Sequence, residues 1–304
     1  MCAAEPFAHP ALFYRGIQEY VAGTVPFIEE GLAAGEPVAV AVPASNFWPL
    51  RAELGASAER VRFTDMSRAG RNPGRIIPKV LRGFADAYPA ERVRIIGEPI
   101  WPARTPAEYP ACVQHEALVN KAFRGRNVTI LCPYDAVRLN AGWLADAYTT
   151  HPVVVVDGRA ERSTTYDADG AVSAFNELLV PPPWAVVFTF DIDRLSGARD
   201  LAVELAKRLG LTGERLDDFS LAATELTTNS VQHGGGSGTV SVWGDGTQIM
   251  CEVRDRGWLR DPLAGRRPPP PDKPGGRGLL MVHNLADLVR IHTGPEGTTV
   301  RFHM

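Results

Sequence analysis

Along the first half of the chain, short unbroken apolar runs alternate with segments whose apolar residues recur every three or four positions. The runs are Val38, Val40 and Val42 with alanines between them, Val93 with Ile95 and Ile96, residues 128–132, and Val153 through Val156. Apolar runs without polar alternation are what a parallel strand covered on both faces requires. Helical spacing is predicted over residues 10–33, interrupted near Pro26, over 78–87, over 109–124 on Val113, Leu118, Val119 and Phe123, and briefly over 171–179. This alternation predicts an α/β domain with a mostly parallel sheet.

The pattern changes after Pro181, Pro182 and Pro183, which mark a boundary. Residues 184–191 read as a strand, followed by helices over 195–209 and 214–233. Residues 239–243 and 248–254 flank Asp245-Gly246, a hairpin signal. A helix over 278–288 and a hairpin of 289–293 with 298–302, turning at residues 294–297, complete the chain. Strands with helices segregated between them predict an α+β sandwich. The expected organisation is therefore two domains, residues 1–180 and 181–304, which suits a length of 304 residues.

Composition narrows the function classes. A hydrophobic content of 45%, a charged content of 22% and a net charge of −3 describe an ordinary globular protein without a basic tract for nucleic acid. No apolar run approaches the roughly 18 residues that span a bilayer, and the first ten residues lack the build of a signal peptide. Cys2, Cys112, Cys132 and Cys251 are scattered, with no C-x-x-C pair and no histidine at metal-ligand spacing. The expectation is a reduced, cytoplasmic protein without a structural metal.

Three short constellations in the second half carry chemistry. On the helix over 214–233, Leu216, Phe219, Ala223 and Leu226 form the stripe that should face the sheet. Glu225 and Asn229 lie one turn apart on another stripe, where a carboxylate can address a hydroxyl and a carboxamide oxygen can ligate Mg²⁺. Asp255, at a strand end, can accept a hydrogen bond from an exocyclic amine, while Gly257 leaves room for a flat ring. The run Gly275, Gly276, Arg277, Gly278 and Leu279 opens a helix, where backbone N–H groups can converge on phosphate oxygens. That run does not follow a strand, which excludes a dinucleotide-binding Rossmann turn.

In this order and on these elements, Glu225/Asn229, Asp255/Gly257 and Gly276/Gly278 resemble the N, G1 and G2 boxes of the GHKL superfamily, whose ATP-binding domain has the Bergerat fold. Gly297-Thr298 resembles its closing Gly-Thr element, and residues 276–282 are most similar to the anti-sigma-factor serine kinases. The resemblance implies ATP and Mg²⁺ as cofactors. Asn229 would hold the metal, Asp255 would bind the adenine amino group, and Gly257, Gly276, Arg277, Gly278 and Leu279 would line the nucleotide. Thr298 would lie near the adenine and Glu225 would be the catalytic base. Residues 258–274 correspond to the ATP lid and carry Arg260, Arg266, Arg267 and Lys273, with four prolines at 268–271 in place of the family's usual lid. Histidine kinases share this domain, and His115-Glu116 resembles a phosphoacceptor pair. The strands predicted between it and the ATP domain replace the two-helix hairpin that such kinases need.

In the first half, His9, Tyr14, Gly31-Leu32, Gly35-Glu36, Glu98, Trp101, Glu116, Asn120, residues 131–135, His151-Pro152 and Asp157-Gly158 resemble the MEDS sensory domain. Such domains are RecA-like, yet Pro43, Ala44 and Ser45 stand after the strand at 38–42 where a phosphate loop would need its glycines and lysine. A sensory pocket for a small molecule is expected at the carboxyl ends of the parallel strands, from Glu98, Trp101, Tyr134, Asp135 and His151. The resemblances together imply an ATP-dependent serine/threonine kinase acting as an anti-sigma factor. It would phosphorylate a STAS-type anti-anti-sigma protein, bind a sigma factor, touch neither membrane nor nucleic acid, and form a homodimer if the dimer face is free. Two rival readings are a nucleotide-gated scaffold without transfer and a sensor histidine kinase.

Overall fold

The computed structural model describes residues 6–268 and 276–304, and the chain divides into two compact units, Met1–Phe175 and Asn176–Met304. In the first unit the strands are β1 (Phe7–Ala8), β2 (Pro10–Tyr14), β3 (Val38–Val42), β4 (Val61–Asp65), β5 (Val93–Gly97), β6 (Val128–Asp135), β7 (Val153–Val156) and β8 (Arg159–Arg162). They form one sheet in the order β4-β3-β5-β6-β2-β7-β8, with β1 beside β6. Every pairing is parallel except β7 with β8, where an edge of exposed Arg and Glu side chains discourages further strand addition. All five residues of β3 are buried, as its unbroken apolar run demands.

The helices are α1 (Gly16–Ala33), α2 (Ala44–Leu54), α3 (Met66–Ala69), α4 (Arg82–Ala85), α5 (Tyr109–Ala122), α6 (Ala141–Thr150) and α7 (Ala168–Ala174). Three expectations need correction. Residues 10–14 are a central strand, not the start of a helix, and α1 runs unbroken through Pro26. Pro26 lies on the exposed side of α1, so water can satisfy the carbonyl it leaves free, while Tyr20, Thr24, Val25 and Ile28 anchor the other side. The helix predicted over 78–87 is instead a π-helical stretch, Ile76–Leu81, that passes into α4.

The second unit is an antiparallel sheet of β9 (Val186–Asp191), β10 (Ser237–Gly244), β11 (Ile249–Asp255), β12 (Leu288–Gly294) and β13 (Gly297–His303) in the order β12-β13-β11-β10-β9. Helices α8 (Leu195–Arg208), α9 (Gly213–His233) and α10 (Gly278–Leu285) supply the rest of its core. The predicted stripe is borne out, with Phe219, Ala223 and Leu226 buried and Leu216 packed against them. Phe219 and Phe302 meet with ring centroids 5.2 Å apart, and Ala198, Ala202 and Ala206 let α8 approach closely. Truncating such a ring costs roughly 3–5 kcal/mol. Asp245 accepts from the backbone of Thr247 and Gln248, which sets the predicted hairpin turn. Helix α10 stops at Leu285, and Leu288 opens β12 instead of closing a helix.

Candidate functional site

Helix α9, the end of β11 and the start of α10 converge on a cavity of about 380 Å³. Asn229, Asp255, Gly257, Gly276, Gly278, Leu279 and Thr298 all line it, although they come from four separate stretches of sequence. Glu225 and Arg277 do not line it. Arg277 is exposed at the N-cap of α10, while the Glu225 carboxylate lies against the place where a Cβ on Gly278 would stand, with the Asn229 amide 3.3 Å from that place. Gly278 therefore brings the start of α10 into contact with the Glu225/Asn229 turn, and any side chain there would collide.

Asp255 is held at the cavity wall by two donors. Ser230 Oγ donates to its Oδ2 at 2.7 Å and the Gly257 amide to its Oδ1 at 2.8 Å. A carboxylate has lone pairs beyond these two bonds, so Asp255 can still accept from a ligand N–H. Leu226, Val253, Leu263, Leu279 and Val300 supply apolar walls on either side, a setting for a flat heterocycle. Glycine is required around Asp255. A Cβ on Gly234 would collide with the Asp255 side chain, and one on Gly257 would meet the His233 carbonyl at 2.7 Å. Gly297, at φ +137, lets β13 pass over the Asp255 backbone.

Thr298 is buried, and its hydroxyl donates to the Gly257 carbonyl at 2.8 Å and pairs with the Thr293 hydroxyl at 2.7 Å. Thr293 in turn accepts from the Leu259 amide at 2.9 Å. Ser230 and Thr293 were missed by sequence reasoning. Ser230 follows Asn229 directly, so its neighbour gave a signal, whereas Thr293 is recognisable only once β12 pairs with β13. The described part of the lid folds onto α10: Gly265, at φ +71, sits against Leu279, and Leu263 is buried. Of the lid cations, Arg267 reaches the cavity, Arg266 is buried and Arg260 stacks on Trp258. Lys273, Gly275 and the prolines at 269–271 lie outside the described residues.

The expected sensory residues of the first unit fall into several contacts. Glu98, just past β5, accepts from both Asn46 Nδ2 (2.9 and 2.8 Å) and the Tyr14 hydroxyl (3.4 Å). Burial lifts its carboxyl to about 8, against the pull of these hydrogen bonds. Asp135 caps the turn after β6 by accepting from the amides of Val137 and Arg138. Trp101 lies under the Arg104 guanidinium at 3.7 Å, and Arg104 itself is tied to the carbonyls of Pro99, Gly70 and Arg71. Tyr134 and His151 both meet Glu116, at 3.2 and 3.5 Å. His151 is a correction: it ends α6 and precedes β7, so it sits at an amino end of the sheet rather than a carboxyl end. His115 is 1% exposed, out of reach of a phosphotransfer partner. No helix among the described residues is long and apolar enough to cross a membrane.

Residues 8–152 match the family described as MEDS, the methanogen/methylotroph, DcmR sensory domain, and residues 188–304 match the histidine kinase-like ATPase domain. Among solved structures, the crystal structure of the RsbU and RsbW domains of Rv1364c from Mycobacterium tuberculosis is similar at 23% identity and a TM-score of 0.31. That similarity covers 41% of this chain and 32% of the solved one, so the chain spans about a third of that relative. No curated protein matches the chain.

Proposed function

We propose that this chain, which joins a MEDS sensory domain to a histidine kinase-like ATPase domain, is an ATP- and Mg²⁺-dependent serine/threonine protein kinase that acts as an anti-sigma factor. Its substrate is a serine on a STAS-type anti-anti-sigma protein, its second partner is a sigma factor, and the first unit regulates the exchange. The observation that carries the reading is the meeting of Asn229, Asp255, Gly257 and Gly278 on one cavity, with the Glu225 carboxylate against Gly278.

Asp255 accepts the adenine amino group while the apolar walls hold the ring. The amides at the start of α10 face the phosphates, and Arg267 adds charge from the lid. The amide oxygen of Asn229, a hard donor beside Glu225, fits Mg²⁺, which when bound would offset the charge of the phosphates. Glu225 accepts the proton of the serine hydroxyl as its oxygen attacks the γ-phosphorus in line and ADP leaves.

The test is transfer of γ-labelled phosphate from Mg-ATP to STAS-domain proteins, run beside Glu225→Gln. Acid-stable label on one STAS protein is expected, with at least a hundredfold slower transfer in the variant and nucleotide binding retained. Nucleotide binding without transfer to any of them would sink the kinase reading and favour a nucleotide-gated scaffold. Acid-labile label on the chain itself would favour a histidine kinase.

A further inference from the structure

A second constellation, independent of the kinase reading, is buried in the first unit. His9, before β2, Glu116 on α5, Cys132 in β6 and His151 at the end of α6 are each at most 2% exposed. One ligand atom from each lies within 4.8 Å of all the others. His9 Nε2 is 3.2 Å from Glu116 Oε2 and 3.3 Å from Cys132 Sγ. Glu116 Oε2 is 3.5 Å from both Cys132 Sγ and His151 Nε2. Donor atoms of a tetrahedral zinc site, with Zn–N and Zn–O near 2.0–2.1 Å and Zn–S near 2.3 Å, stand about 3.3–3.6 Å apart. Four edges of the cluster already have nearly those lengths.

The surrounding hydrogen bonds decide which imidazole nitrogen faces inward. The Asn120 amide group donates to the Thr150 carbonyl at 2.8 Å, which leaves its oxygen to accept from His9 Nδ1–H at 3.1 Å. His151 Nδ1–H donates to the Ala147 carbonyl at 2.9 Å. With their protons on Nδ1, both rings turn bare Nε2 lone pairs toward the same carboxylate oxygen. The Cys132 thiol can donate to one of these atoms only, and His151 Nε2 is buried without a hydrogen-bond partner. Lone pairs converging in a dry interior repel unless a cation sits among them.

We propose that His9, Glu116, Cys132 and His151 bind a zinc(II) ion in a closed, four-ligand centre. The mixed nitrogen, sulfur and oxygen donors suit zinc, and no ligand position is left for a substrate, as in structural sites. Asn120 and Ala147 then act as the outer partners that orient the two imidazoles. The ion would tie the start of β2 to β6, α5 and α6.

The full chain, stripped with chelator, is titrated with zinc(II) and with cobalt(II) as a spectroscopic stand-in. Stoichiometric uptake of both is expected, with the intense visible bands of tetrahedral cobalt and a near-ultraviolet thiolate-to-cobalt charge-transfer band. Cys132→Ser, nearly isosteric, should lose the charge-transfer band, and Asn120→Ala should weaken zinc affinity about 10- to 100-fold. The wild-type spectrum decides the matter even if a variant fails to fold. Substoichiometric uptake of both ions, or bound cobalt without the charge-transfer band, would overturn the site.

Discussion

Asp255 shows how much of the candidate site hangs on single atoms. Its two fixed donors, Ser230 Oγ and the Gly257 amide, take one lone pair on each oxygen and aim the rest into the cavity. Asp255→Asn replaces an acceptor with an amide that can face the ligand amine donor to donor. Hydrogen bonds to charged groups are worth about 1.5–3 kcal/mol, so adenine nucleotide affinity should fall about ten- to a hundredfold. Ser230→Ala, which removes a positioning bond and leaves the carboxylate, should lose only about fivefold. Titration calorimetry with ADP checks both, and equal losses would mean that Asp255 holds the fold rather than the base. Glu98 makes a prediction of the opposite sign to that of most carboxylates. Its folded value of about 8 lies above the ordinary 4.5, so between these the folded domain keeps a proton that the unfolded chain gives up. Stability from this group is full below the lower value and is lost as pH rises toward the upper one, by at most about 1.4 kcal/mol per unit. Thermal unfolding from roughly pH 5 to 9 should therefore show a decline that Glu98→Gln flattens; parallel profiles would refute it.

Among the elements, the start of α10 is where backbone placement matters most. Gly278→Ala puts a methyl where the Glu225 carboxylate stands and 3.3 Å from the Asn229 amide. One of the two helices must move, so nucleotide binding and phosphotransfer should both drop at least tenfold, while the far-ultraviolet helix signal stays unchanged. Activity equal to the wild type would mean that the α9–α10 contact is incidental. The elements that make this contact were legible in the sequence because their signals are local: an amphipathic stripe for α9, a glycine run before α10, an Asp-Gly turn between β10 and β11. The strand β2 was not legible, since Pro10 opens it and the apolar residues after it suit a helix equally well; only parallel pairing with β6 and β7 decides it. The strand β4 was missed because Arg62 breaks its apolar pattern at an edge. Of the candidate cavity, the box residues were legible one by one, whereas Thr293 depends on pairing across strands and the Gly234–Asp255 fit on the end of α9 packing against the end of β11. The buried cluster of His9, Glu116, Cys132 and His151 escaped for the same reason, as metal-ligand spacing is a local rule and these positions are spread over most of a domain.

The whole molecule consists of two compact units with separate cores, and this has a thermodynamic consequence. A ligand that binds one folded unit stabilises that unit by RT ln(1 + [L]/Kd), about 2.7 kcal/mol at a hundredfold excess over Kd. If the nucleotide belongs to the second unit and zinc to the first, each should raise a different unfolding transition. Calorimetry of the full chain should then show two transitions, with Mg-ADP moving one and zinc, added back after chelation, moving the other by several degrees. Cys132→Ser should abolish only the zinc shift and Asp255→Asn only the nucleotide shift. A single transition raised by either ligand would mean that the units unfold together, and that the first unit feels what the second has bound. In that case any regulation of the second unit by the first would run through folding stability itself, and the same two variants would measure the coupling: each should then blunt the response to the other ligand. Two independent shifts would place regulation instead in contacts formed with the partner proteins, leaving the two cores energetically separate.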